Sequence, residues 1–140
     1  MIKYLNFSAI PKSSDLALLL LRLGFGSYML YFHGLQKLKW WSNMSDSFPD
    51  PLGIGVKVSL GCTIAAEFFM AALVVIGLFT RLASLALVFT MGVAFAIVHD
   101  ANFSGSNSGE MAFLYGLVFL VLLVAGGGKF SLDRKLGDSA

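Results

Sequence analysis

Residues 65–100, AAEFFMAALVVIGLFTRLASLALVFTMGVAFAIVHD, are two apolar segments back to back with only Thr80-Arg81 between them. A helix that crosses a bilayer takes about 20 residues at about 1.5 Å each. The second, Leu82 to Val98, comes close to that length, the first reaches it when extended back to Val56, and a joint this short makes them antiparallel neighbours. One carboxylate, Glu67, lies inside the first segment, and His99-Asp100 ends the second. An ionisable group inside such a segment is costly in lipid, so it marks a functional site by default. Glu67 and His99 are therefore expected to face the place where the protein acts.

Composition agrees with a membrane chain. Of 140 residues, 57% are hydrophobic and 13% charged, and mean hydropathy is +0.80. A soluble domain carries about a quarter charged residues. A net charge of +2 without a basic stripe gives no footprint for nucleic acid. The one cysteine, Cys62, excludes an intrachain disulfide, a C-x-x-C redox motif and a cysteine zinc cluster. In an apolar run it reads as a small packing residue.

The fold class expected is all-α, an integral membrane bundle of four helices at about 15–36, 56–78, 82–99 and 109–126. Residues 1–14 read as an interfacial segment broken at Ile10-Pro11, and 129–140 as a polar tail. The first apolar run carries Arg22 and lacks a small-x-small cleavage site, so it reads as a retained span. Ser13, Ser14 or Asp15 caps its start. Gly24, Gly26 and Ser27 let another helix come close and permit a homo-oligomer. Trp40 and Trp41 form an interfacial belt. The loop 42–55 is long enough to fold back over the mouth of the bundle. Gly77 with Thr80-Arg81 makes a tight turn, with Thr80 capping the third span and Arg81 at the headgroups. Gly126-Gly127-Gly128 stops the fourth.

Four spans put both termini on one side, with Lys3, Lys12, Arg81, Lys129, Arg134 and Lys135. The other side has three basic residues, Lys37, Lys39 and Lys57, beside Asp46, Asp50, Asp100 and Glu110. By the positive-inside rule the termini are cytoplasmic.

At the outer mouth the topology gathers His33, Gln36, Lys37, His99, Asp100 and Glu110. A carboxylate as deep as Glu67 is either protonated or paired. Arg22 either snorkels to the near interface or reaches Glu67 as its partner. The resulting polar column suits a quinone-like ligand. His33, Gln36 or His99 would donate to its carbonyls, and Glu67 would carry protons. Haem held by His33 and His99 and transport of a small solute or proton are alternatives. So is a non-catalytic scaffold that binds a partner, in which these residues only fix packing.

Arg22, then FHGLQKL, Glu67 followed by GLFTR, EMAFLY opening the last span and GGGKFSLD closing it stand in an order and spacing that resembles the DoxX family of small four-span bacterial membrane proteins. The resemblance runs from Asp15 to Asp133. The matching positions are Arg22, His33, Gly34, Lys37, Glu67, Gly77, Arg81, Glu110, Gly128 and Asp133. It implies the bacterial inner membrane and a quinone- or redox-linked role. The family label comes from a subunit linked to a terminal quinol oxidase, and a related protein is the small subunit of a thiosulfate:quinone oxidoreductase. Other members are associated with redox partner proteins. GGGKFSLD is expected to end the helix and anchor the tail.

Overall fold

The computed structural model describes residues 13–137. Most of the interfacial segment expected at 1–14, and the last residues of the tail, lie outside the described residues.

Four helices account for the apolar sequence: α1 Ser14–Lys39, α2 Val56–Ile76, α3 Thr80–Val98 and α4 Glu110–Ala125. The first three are long and apolar enough to cross a membrane, whereas α4, at 16 residues, is apolar but shorter. A one-turn helix, Trp41–Met44, follows α1. A short helix, α5 Leu132–Gly137, closes the described chain. Ser13 caps α1, its hydroxyl accepting from the Leu16 amide at 3.1 Å. Helix α1 also runs past Gln36 to Lys39, which keeps Lys37 in helical register with His33.

The bundle buries small and branched side chains, among them Ala66, Ala71, Val74, Ala83 and Leu87, with Phe119 and Leu122 from α4. Its outer surface is apolar too: Leu20, Leu82, Phe89 and Val124 are each more than 60% exposed. Large apolar side chains on both sides of a helix suit lipid outside and protein inside.

Within α1, α2 and α3 the hydrogen bonding slips to π-helical spacing at Arg22–Gly26, Met29–Gly34, Ala65–Met70 and Ala94–Val98. Such bulges are rare and often sit at functional sites. Here they carry Arg22, His33 and Glu67.

At the end of the bundle shared by both ends of the described chain, helix termini are closed by groups from elsewhere. Arg22, buried with 1% exposure, does not snorkel. Its guanidinium donates to the carbonyls of Val74 and Val75, both at 3.0 Å, and of Gly127 at 2.8 Å. It thus closes the last turn of α2, whose final carbonyls run short of partners within their own helix; that of Val74 also accepts from the Gly77 amide at 3.1 Å. Arg81 does the same for α4, donating to the Val124 carbonyl at 3.1 Å. Asp15 accepts from the Lys129 amide at 2.8 Å, tying the start of α1 to the segment after α4.

Helix α3 is not capped by the Thr80 side chain, as expected from the sequence, but by Asp133. Its carboxylate accepts from the Phe79 and Thr80 amides at 2.6 and 2.9 Å. The reason is local: Phe79 takes a left-handed φ of 49°, which turns both amides toward the tail. Burial alone would raise the Asp133 carboxyl. Its bonds to Thr80 and Phe79, with the Arg22 charge nearby, hold it below the ordinary aspartate value. Gly77 (φ 74°) is required here, because a Cβ would fall on the Arg22 guanidinium and on Ser131. GGGKFSLD is therefore the anchor expected of it.

At the opposite end the loop 42–55 folds back over the bundle. Asp50 holds it in place, accepting from the amides of Ile54 (3.1 Å) and Gly55 (2.8 Å) and from the Ser59 hydroxyl (2.6 Å). The Ser59 bond is the main cause of a lowered Asp50 carboxyl.

Candidate functional site

Met29, His33 and Lys37 recur every fourth residue and form one stripe of α1. On α2 the matching stripe is Ser59, Thr63, Glu67 and Met70. Between these stripes and the inner faces of α3 and α4 lies a cavity of about 550 Å³, roofed by Phe48, Pro49, Leu52 and Ile54 of the folded-back loop. His33, Lys37, Glu67, His99 and Tyr115 all line it, among predominantly apolar walls. Protein pockets for small molecules span about 300–1,000 Å³ and have this make-up, apolar with a few convergent polar groups.

Lys37 and Glu67 form an ion pair inside this space, Nζ to Oε2 at 2.5 Å. The glutamate side chain is 6% exposed and the lysine 19%. Gly34 makes the pair possible. A Cβ at Gly34 would collide with the backbone carbonyl of Glu67, so the two helices touch backbone to backbone one turn from Lys37. The lysine then reaches the carboxylate without leaving the cavity wall.

The expected Arg22–Glu67 pair does not form. Arg22 bonds at the level of Val74 and Val75. That is seven and eight residues past Glu67 along α2, or roughly 10–12 Å at the helical rise. The counter-charge is Lys37 instead, a residue that sequence reasoning placed at the mouth. Arg22 does not line the cavity.

The other expected residues divide. His33 faces the cavity half-buried, its ring edge-on to Tyr115 with centroids 5.6 Å apart. His99 lines the same cavity, and its Nδ1 lies 3.2 Å from the Asn107 side-chain oxygen. The two histidines thus share one space. Gln36 does not join them. It is exposed and lines a shallower pocket of about 310 Å³ with Phe32, Trp40 and Met44, whose far wall is His33 and Lys37. Glu110 is exposed in the first turn of α4 and lines neither space. Among the described residues no three His, Cys, Asp or Glu side chains converge to hold a metal.

Tyr115 is the site residue that sequence reasoning missed. It is 4% exposed and touches Tyr28, His33 and Phe25 ring to ring. Its signal was the last letter of EMAFLY, a phenol five residues into an otherwise apolar helix.

Residues 17–100 match the DoxX family, and that stretch contains the α1 and α2 stripes, the Lys37–Glu67 pair and both histidines. The chain belongs to the DoxX family. Two uncharacterized proteins of Haemophilus influenzae are similar to it. One is 29% identical over 88% of this chain and 85% of its own length, the other 31% identical over 78% and 83%. No solved structure matches the chain significantly. The DoxX match therefore covers the polar side of the cavity except Ser108 and Tyr115. The cap made by Asp133 lies beyond it.

Proposed function

We propose that the cavity binds a quinone-like ligand and that this DoxX protein is a redox-linked accessory subunit in the bacterial inner membrane, with both termini cytoplasmic. The observation that carries the reading is the convergence of His33, His99 and the Lys37–Glu67 pair on one apolar space of about 550 Å³. A quinone ring needs apolar walls and a donor at each carbonyl. His33 and Lys37 supply donors from α1, and His99 supplies one from the mouth end of α3. When bound, a quinone supplies a two-electron, two-proton couple, with electrons exchanged through a partner redox protein.

The protein's own part is binding and proton handling. Glu67 with Lys37 forms a carboxylate–ammonium pair that holds a proton beside the ligand and can pass it on. Tyr115 orients the His33 ring. Arg22 keeps a supporting role, joining α1 to the ends of α2 and α4.

The test is ligand binding by the purified protein in detergent. Organic extracts are expected to contain quinone, and added ubiquinone or menaquinone is expected to raise the thermal midpoint. His33→Ala should weaken that shift without lowering the midpoint of the ligand-free protein. Extracts free of quinone, together with no thermal shift, would overturn the reading. A Soret band in the purified protein would replace it with haem.

A further inference from the structure

The turn at Gly77 holds α2 and α3 together at one end only. Ala65–Ile76 packs against Thr80–Val93 near the turn. Toward the loop end the cavity, rather than close packing, lies between Val56–Ile64 and Ala94–Val98. The two helices therefore open like a V, and residues at the rim face outward as well as into the cavity. Cys62 and Ala65 on α2 are exposed, and Phe89 on α3 is 61% exposed, while all three line the cavity. From the loop end of its helix, each lies about 9–14 Å deep at the helical rise. That is within the hydrocarbon layer of a bilayer about 30 Å thick.

We infer that this cleft is a lateral doorway, and that the long apolar tail of the ligand lies in it with its head at Lys37–Glu67 and His33. The inference rests on the quinone reading and names the class within it: a quinone with an isoprenoid tail, exchanged directly with the membrane. Two features favour this occupant. The aqueous side is roofed by a loop that Asp50 pins through Ile54, Gly55 and Ser59, so the open flank is the one that faces lipid. Among the described residues of the wall, the one lysine, Lys37, is already matched by Glu67, which leaves no unpaired lysine or arginine there for a phosphate. A neutral head that accepts hydrogen bonds fits that wall, and a phospholipid headgroup does not.

The experiment uses the full chain in phospholipid nanodiscs. One ligand is a quinone with a photoreactive diazirine near the end of an isoprenoid tail, and the other has the same head without a tail. Photo-crosslinks from the tail are expected on residues 58–65 and 86–94. Ala65→Trp, which fills the doorway, is expected to weaken the long-tailed ligand about ten-fold, the worth of roughly two buried methylenes, and the tail-less one by less than about two-fold.

Crosslinks on the loop or on α1, with head binding intact, would overturn the doorway and leave the quinone reading standing. So would equal affinity of the two ligands, or displacement of the tail by added phospholipid. Failure of both ligands to bind would remove the quinone reading itself.

Discussion

Lys37 and Glu67 show how one residue's placement changes another's meaning. A carboxylate with 6% exposure in an apolar bundle needs a counter-charge, and Lys37 supplies it from the neighbouring helix. Breaking one member of a buried pair costs about 3–5 kcal/mol, because the other charge is left without a partner. Here the 19% exposure of Lys37 puts the cost at the lower end. Lys37→Met and Glu67→Met are each expected to lower the thermal midpoint in detergent, and the double variant is expected to recover most of the loss. A double variant that loses the sum of the two single losses would show that each residue stabilises independently of the other. Gly34 belongs to the same unit, because any larger residue would push α1 off the Glu67 carbonyl and draw Lys37 away.

At the scale of elements, the helices near the chain ends are closed by partners from outside themselves. Arg22 satisfies α2, Arg81 satisfies α4 and Asp133 satisfies α3. Asp133 makes this dependent on pH. Its folded-state value lies below the ordinary 3.8. The stability it contributes is therefore complete above about pH 4 and is lost as pH falls through the lowered value. Asp133→Asn keeps an acceptor for one of the two amides but drops the charge. It should cost about 0.5–2 kcal/mol at neutral pH, as other cap losses do. It should also remove part of the fall in thermal midpoint between pH 5 and pH 3, whereas an unchanged acid profile would show that the cap does not depend on charge. Asp50 titrates in the same window, so the comparison is variant against parent.

For the whole molecule, the Asp15–Lys129 bond brings both ends of the described chain to one end of the bundle. Basic residues gather there, Arg81, Lys129, Arg134 and Lys135 among them. Reporter fusions at the two termini are expected to report the cytoplasm for both. Opposite locations would contradict a bundle in which all four helices cross the membrane, and two external termini would contradict the positive-inside assignment. Cytoplasmic termini would place the polar cavity toward the outer half of the membrane, since it lies at the reverse of the end that Arg22 and Asp133 hold together.

Apolar length and composition were enough for the membrane, the helical class and the turn at Gly77-Thr80-Arg81, because a bilayer rewards any run of about 20 apolar residues whatever its neighbours. The candidate polar residues were legible in part: His33, Lys37, Glu67 and His99 meet on one cavity, whereas Arg22, Gln36 and Glu110 do not line it. Their pairing was not. Spacing along a helix says which side chains share a face. It does not say how far one helix slides along another, and that offset gave Glu67 to Lys37 and Arg22 to the carbonyls of Val74, Val75 and Gly127. Tyr115 and the capping role of Asp133 were hidden for the same reason, since both act across a helix interface. Which polar groups exist in the bundle follows from the sequence alone; which of them touch is decided by backbone contact, above all at Gly34 and Gly77, where only a missing Cβ lets the helices and the Arg22 side chain come close enough.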